Sequence, residues 1–167
     1  MPEIIQVSVS RGGVPKRAIP QVMITSQGLE GDSFAHPNIH GGPNQRVLII
    51  VAEVIDDLVA RGFPVFYGAL GENLTVRGID AGALRAGQTW RAGDALLDLT
   101  RIRKPCATLD VYRSADGRPI QDEIYNAAVK EGDPTSPLWA HSGFYASVRR
   151  AGMVSSGAPF ELLFESA

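Results

Sequence analysis

Apolar and polar residues alternate along several short stretches of the chain, which is the pattern of strands with one buried face. Ile5, Val7 and Val9, for example, alternate with polar neighbours. The chain also contains 18 glycines and 11 prolines, which divide it into short segments. This pattern favours many short strands joined by tight turns over a bundle of helices. Strands are predicted at residues 5–9, 22–25, 47–51, 74–76, 88–91, 96–102, 144–150 and 160–164.

Two stretches have the apolar spacing of helices instead. The first covers residues 52–61 and ends before Gly62 and Pro64, and the second covers about 120–131 and ends before Gly132. The predicted inward side chains of the first helix are Val54, Ile55, Leu58 and Val59. Those of the second are Ile124, Ala127 and Ala128. The predicted fold is mainly β with a few helices (α+β), barrel-like, and formed by residues 1–167 as one domain.

Composition narrows the possible functions. The 16 Lys and Arg against 18 Asp and Glu give a net charge of −2, so the chain lacks the basic excess typical of nucleic-acid binders. The longest apolar run, residues 47–52, is too short to span a bilayer. The first residues lack the basic start and apolar core of a signal peptide. We therefore expect a cytoplasmic protein whose partners include neither nucleic acid nor a membrane.

The single cysteine, Cys106, is the strongest candidate for a reactive group. It follows Arg101, Arg103 and Lys104, and Pro105 directly precedes it. Nearby cations stabilise a thiolate, which is the nucleophilic and metal-binding form of cysteine. Arg101 and Arg103 share one face if the strand continues that far. The same cations could bind a phosphate or the oxygens of a pterin. A lone cysteine can also be a small buried hydrophobe, and that alternative stays open.

A second candidate region is the stretch 27–45, which shows no periodicity and is rich in Gly, Pro, Asn, Asp and His. A loop of this length in a compact domain is usually functional or disordered. Within it, His40-Gly41-Gly42 lets the backbone approach a ligand, and its N–H groups could bind an anion. Asn73 precedes a predicted strand and could hydrogen-bond the edge of a heterocycle.

Other interpretations of these residues remain. His36, His40 and Cys106 could hold zinc, although Pro37 argues against a helical pair of histidines. A cysteine hydrolase would need a histidine partner for Cys106, for which His40 or His141 could serve. The candidate stretches could also be turns of a domain that only binds or supports another molecule.

Taken in order, the candidate stretches resemble the MOSC domain, the family named for the C-terminal domain of molybdenum cofactor sulfurases. The chain is most similar to the small stand-alone bacterial members, and the resemblance covers nearly its whole length. The matching segments are Gly28-Leu29-Glu30-Gly31-Asp32, His40-Gly41-Gly42, Gly71-Glu72-Asn73-Leu74-Thr75, Gly93-Asp94, Arg103-Lys104-Pro105-Cys106 and the run from Gly143 to Gly152.

The resemblance implies a barrel-like fold of strands and an association with the molybdenum cofactor, in which a molybdopterin dithiolene holds molybdenum. Cys106 is then a thiolate ligand to molybdenum, and the catalytic residue, or the carrier of a persulfide sulfur. Related proteins reduce N-hydroxylated compounds, and small bacterial members are linked to N-hydroxylated purine bases. Eight residues are expected to bind the cofactor: His40, Gly41, Gly42, Asn73, Thr75, Arg101, Arg103 and Lys104.

One departure from the family pattern concerns the accessory domains. The sequence includes neither the pyridoxal-phosphate domain of the sulfurases nor an electron-transfer domain. Reduction of a small N-hydroxylated substrate is therefore expected to need a separate electron-donor reductase. The alternative is a non-catalytic carrier that holds sulfur or the molybdenum cofactor and passes it on.

Overall fold

Strands and short helices make up the fold, which we describe from a computed structural model over residues 1–33 and 42–165. The strands are β1 Glu3–Val9, β2 Arg17–Ile19, β3 Gln21–Thr25, β4 Gly28–Leu29, β5 Val47–Val51, β6 Leu74–Arg77, β7 Gln88–Ala92, β8 Ala95–Ile102, β9 Phe144–Arg150, β10 Gly152–Ser155 and β11 Phe160–Glu165. The α-helices are α1 Ala52–Ala60, α2 Gln121–Ile124 and α3 Ala127–Lys130. Short 3₁₀ helices cover Pro43–Gln45, Ala81–Ala83 and Ala107–Val111.

The larger sheet has eight strands in the order β11-β7-β8-β9-β5-β6-β1-β2, and β10, β3 and β4 form a second sheet of three. Strands β5 and β6 are parallel because the chain crosses between them through α1. The other pairings within these sheets are antiparallel. The mainly β fold with a few helices predicted from the sequence is confirmed.

The expected closure into a barrel is not complete. Strand β2 pairs only with the second half of β1, at Val7–Val9, so the first half remains available. Pro159, just before β11, forms an isolated bridge to Glu3 there. The Ile4 N–H also donates to the Ala158 carbonyl at 2.8 Å. The ends of the large sheet therefore approach each other without closing it.

Strand β5 and helix α1 form much of the core. All five residues of β5 are buried, because the strand is central and both of its faces are covered. On α1, Val54, Ile55 and Leu58 are buried as predicted. Val59 was expected on the same face, but half of its surface is exposed (50%). The apolar stripe of α1 is therefore one residue narrower than the sequence pattern indicates.

The second predicted helix is wrong as a continuous element. It is two single turns, α2 and α3, separated by extended backbone at Tyr125 and Asn126. The Asn126 side chain accepts a hydrogen bond from the Val129 N–H at 2.9 Å and thereby caps α3. Asparagine is favoured at such a cap and disfavoured inside a helix. The break rotates α3, so that Val129 is buried whereas Ala127 is exposed.

The side chain of Asn73 joins three separate parts of the chain ahead of β6. Its Oδ1 accepts from the Leu48 N–H at 3.0 Å. Its Nδ2 donates to the Ser8 carbonyl at 3.3 Å and to Asp32 Oδ2 at 2.9 Å. Its main chain also pairs with Leu48 and Ser8, each at 2.8 Å. Asn73 is 2% exposed, so these bonds form away from water and hold β1, β5 and Asp32 together.

Replacement of this side chain should destabilise the fold. In Asn73→Ala, the Leu48 N–H and Asp32 Oδ2 each lose a buried partner, and each such loss costs about 1–3 kcal/mol. We expect the free energy of unfolding in urea to fall by about 2 kcal/mol or more. The matched control is Asn44→Ala, whose amide is exposed and should change stability by less than about 0.5 kcal/mol. Equal unfolding midpoints for the two variants would contradict this role of Asn73.

Candidate functional site

Cys106 lies at an exposed position beside a cavity. It follows the loop after β8 and directly precedes the 3₁₀ helix Ala107–Val111, whose Leu109 N–H donates to the Cys106 carbonyl at 3.1 Å. The cavity has about 680 Å³ of empty space, part of which is open solvent. The described residues that line it are Gly13, Val14, Lys16, Ser33, Gln45, Leu48, Gly71, Asn73, Arg103, Cys106, Thr108, Leu109 and Tyr145.

Arg103 places a buried positive charge in the wall of this cavity. It is 6% exposed, and its guanidinium donates to the carbonyls of Leu70 at 2.6 Å and Ser142 at 3.1 Å. Burial lowers the pKa of Arg103, while Tyr145 and Cys106 act in the opposite direction. A guanidinium nevertheless stays protonated in proteins. Arg103 is therefore a fixed cation within electrostatic reach of the thiol.

Tyr145, on β9, lines the same cavity and is largely buried. Burial raises the pKa of its hydroxyl, Arg103 and Arg101 oppose that shift, and Cys106 adds to it. At neutral pH the hydroxyl consequently keeps its proton. It can serve as a hydrogen-bond donor beside Cys106.

Behind Arg103 lies Glu72, which is fully buried. Desolvation raises the pKa of Glu72, and a backbone hydrogen bond with Gly68 and the charge of Arg103 partly offset the effect. Its Oε2 accepts from the Thr75 hydroxyl at 3.3 Å, whereas Oε1 has no hydrogen-bond partner within the described residues. Thr75 is fully buried and is absent from the cavity wall. The structure thus does not bring Thr75, a predicted cofactor residue, to the site.

Lys16 is the second cation of the cavity, and the sequence pattern does not predict it. Its Nζ forms an ion pair with Asp32 Oδ1 at 2.6 Å, and both side chains are less than a tenth exposed. Asp32 Oδ1 also accepts from the Ser10 N–H at 2.9 Å, and Oδ2 accepts from Asn73. Lys16 stands apart from the matched motifs, just after a turn, so no local pattern marks it. Asp32 belongs to a matched motif, but its partner cannot be identified from spacing.

The side-chain amide of Asn73 is already bonded within the protein. It lines the cavity as expected, but both of its amide hydrogens already bond Ser8 and Asp32. An amide with both donors used does not present them to a ligand edge. Asn73 instead positions Asp32, which in turn positions Lys16.

The remaining predicted residues are scattered. Arg101 is exposed and lines a second cavity, separate from that of Cys106. Its pairing with β9 follows a register shift after Leu99, and β8 ends at Ile102, so alternation does not extend to Arg103. Lys104 is exposed and does not line the Cys106 cavity.

Part of the predicted site falls in the stretch 27–45. Gly42 is exposed and directly precedes the 3₁₀ helix Pro43–Gln45, whose Gln45 lines the cavity. His40 and Gly41 lie outside the described residues.

The structure addresses part of the cysteine hydrolase and zinc interpretations. His141, the candidate partner in a cysteine hydrolase, does not line the cavity. Burial lowers its pKa, and its charged neighbours are Asp57, Arg61 and Asp80. Within residues 1–33 and 42–165, no group of three or more His, Cys, Asp or Glu side chains could hold a metal ion. The zinc hypothesis includes His36 and His40, which are beyond that part of the chain. All helices in the described ranges are too short or too polar to cross a membrane.

Two curated proteins have sequences similar to this chain. Uncharacterized protein YflK of Bacillus subtilis (strain 168) is 32% identical over 155 residues, which is 90% of this chain and 63% of that protein. Protein YiiM of Escherichia coli (strain K12) is 32% identical over 148 residues, covering 86% of this chain and 59% of YiiM. The chain thus spans about three-fifths of the length of these relatives.

Solved structures support the same fold. YiiM from Geobacillus stearothermophilus superposes with a TM-score of 0.67 at 22% identity, over 98% of this chain and 76% of that one. YiiM from Escherichia coli gives 0.65 at 24% identity, over 100% and 72%. The family model of the MOSC domain matches residues 36–161, which is most of the sequence. With that match and two relatives above 30% identity, the chain belongs to the MOSC domain family.

Proposed function

We propose that the Cys106 cavity binds the molybdenum cofactor and that the protein reduces N-hydroxylated compounds, with Cys106 as a thiolate ligand to molybdenum. MOSC domains are associated with this cofactor in general. The proposal rests on the exposed thiol of Cys106 at the edge of this cavity. Among the described residues, the charged side chains that line the cavity are the cations Lys16 and Arg103. A positive site of this kind favours an anionic ligand.

The residues present fit such a group. The cofactor carries negative charge on its dithiolene and its phosphate. Arg103 would offset that charge, and the Lys16 ammonium, although it is paired with Asp32, would present N–H donors to it. A thiolate is a soft ligand suited to a soft metal centre. Arg103 is held by two carbonyls and Lys16 by Asp32, so both cations are fixed in position before any ligand binds. Such preorganisation lowers the cost of ordering on binding.

When bound, the cofactor would supply the two-electron chemistry that cleaves an N–O bond. The overall reaction takes up two electrons and two protons, converts N–OH into N–H and releases water. A separate electron-donor reductase would deliver the electrons. Tyr145 would line the bound ligand with its hydroxyl protonated. Val14, Leu48 and Leu109 provide apolar walls to the cavity.

A second candidate function is a carrier of sulfur or of the cofactor. The exposure of Cys106 favours it, because a partner protein can reach an exposed thiol directly. In this alternative Cys106 holds the outer sulfur of a persulfide and releases it to an acceptor thiolate. The same cations would then stabilise the thiolate that remains.

Substitution of the thiol separates the two functions. The protein and its Cys106→Ser variant would be produced in a host that makes the molybdenum cofactor, and the molybdenum bound per chain would be measured. A ligand role predicts that the variant loses most of its metal, with an unchanged unfolding midpoint because Cys106 is exposed. Equal metal content in the two proteins would rule out that role. A mass increase of one sulfur on Cys106, removed by reductant, would support the carrier.

Substitution of Lys16 tests the anionic character of the ligand. Lys16→Gln removes one cation, so the pterin released per chain, measured by its fluorescence, should fall by about tenfold. The double variant Lys16→Gln, Asp32→Asn replaces the ion pair by a neutral pair, so it should lose less pterin than Lys16→Gln. Arg113→Gln is the matched control, since Arg113 is exposed and lines neither cavity. Full pterin retention in Lys16→Gln would contradict a role for Lys16.

A further inference from the structure

A second cavity is bordered by residues of β8 and β9 and shares no lining residue with the Cys106 cavity. Ile102 and Phe144 line it, whereas Arg103 and Tyr145, which follow them in the sequence, line the first. It has about 890 Å³ of empty space, including open solvent. Arg101, which the sequence associated with Cys106, belongs to this second cavity.

The floor of the second cavity is aromatic and fixed in position. Trp139 is 9% exposed, and its indole N–H donates to the Leu84 carbonyl at 2.8 Å. Tyr125 and the buried Phe144 lie alongside, and Phe144 meets Trp139 edge-on at 6.3 Å between ring centroids. Arg85 lies over one face of Trp139 and little of Phe144 is exposed, so a planar ring would contact the half-buried Tyr125 and the remaining exposed part of Trp139.

Three cations, Arg85, Arg101 and Lys130, line this cavity. The guanidinium of Arg85 lies 5.6 Å from the centroid of Trp139 and donates to the carbonyls of Gly82 at 2.6 Å and Leu84 at 2.8 Å. Carboxylates are absent from the lining within the described residues. The cavity thus combines an apolar aromatic floor with a positive rim.

We propose that this second cavity binds a small aromatic anion, with the ring beside Tyr125 and Trp139 and the carboxylate or phosphate facing Arg101 and Lys130. The apolar floor alone would accept a neutral ring, and the cations alone would accept any anion. Their combination selects a compound that has both features. This site is independent of the proposed function, because none of its residues contributes to the Cys106 cavity.

The two tryptophans provide a local readout. Trp139 lies in the second cavity, while Trp90 is stacked on Phe160 at 4.7 Å and lines neither cavity. The full chain would be titrated with naphthoate and with the neutral naphthamide, and both indole N–H signals followed by NMR. We expect naphthoate to shift the Trp139 signal and leave that of Trp90 in place, with the amide about tenfold weaker. Equal affinity for the two compounds, or an unmoved Trp139 signal, would overturn the proposal.

Variants that each remove one cation from the second cavity test where the anion binds. Arg101→Gln and Lys130→Gln should each weaken naphthoate by about tenfold, since each removes one charged contact. Arg113→Gln removes an exposed cation that lines neither cavity and should leave the affinity unchanged. Cys106→Ser should also leave it unchanged, because Cys106 lines only the first cavity. Loss of binding in Cys106→Ser together with full binding in Arg101→Gln and Lys130→Gln would place the ligand in the first cavity and refute the inference.

Discussion

The hydrogen bonds of the Asn73 side chain couple the fold to the candidate site. One buried amide connects the main chains of β5 and β1 to Asp32, and Asp32 holds Lys16 at 2.6 Å. A buried ion pair is stable only when its remaining polar atoms are also satisfied. Here the Ser10 N–H and the Asn73 amide complete the coordination of Asp32. The position of the cation in the cavity therefore depends on the assembled sheet.

The two cations of the Cys106 cavity are stabilised by different means, and the difference has chemical consequences. Lys16 is neutralised by Asp32, whereas Arg103 is held mainly by carbonyl dipoles of Leu70 and Ser142. Dipoles stabilise a cation without cancelling its charge, so the field of Arg103 extends further toward the thiol. The shared electrostatic coupling of Arg103, Tyr145 and Cys106 reflects this arrangement. An anion that enters the cavity would meet Arg103, whose charge also acts on the buried Glu72 carboxyl, and Lys16, which is paired with Asp32.

The elements that could be predicted from the sequence are those whose pattern of apolar residues follows directly from burial. The alternation of β1 and the apolar run of β5 were recognisable because burial of one or both faces dictates them. The break at Asn126 was not recognised, since the apolar spacing continues through it while its capping bond ends the helix. Within the site, Cys106 and Arg103 were identified from their neighbours in sequence. Lys16 was not, because its role arises from a contact with Asp32 across sixteen positions, which no spacing rule encodes.

The packing of the core also determines the position of the loop that leads from β8 to Cys106. Gly143 has a φ of 106°, and a Cβ there would come within 2.9 Å of side chains on β5, at Leu48 and Ile50. Its carbonyl accepts from the Arg103 N–H at 2.8 Å, and the neighbouring Ser142 hydroxyl donates to the Arg103 carbonyl at 2.6 Å. The backbone that enters the loop to Cys106 is therefore positioned by Gly143. Only glycine fits at this position without strain. Because the same two strands, β8 and β9, also form the wall of the second cavity, a shift of Gly143 against β5 would alter both sites together.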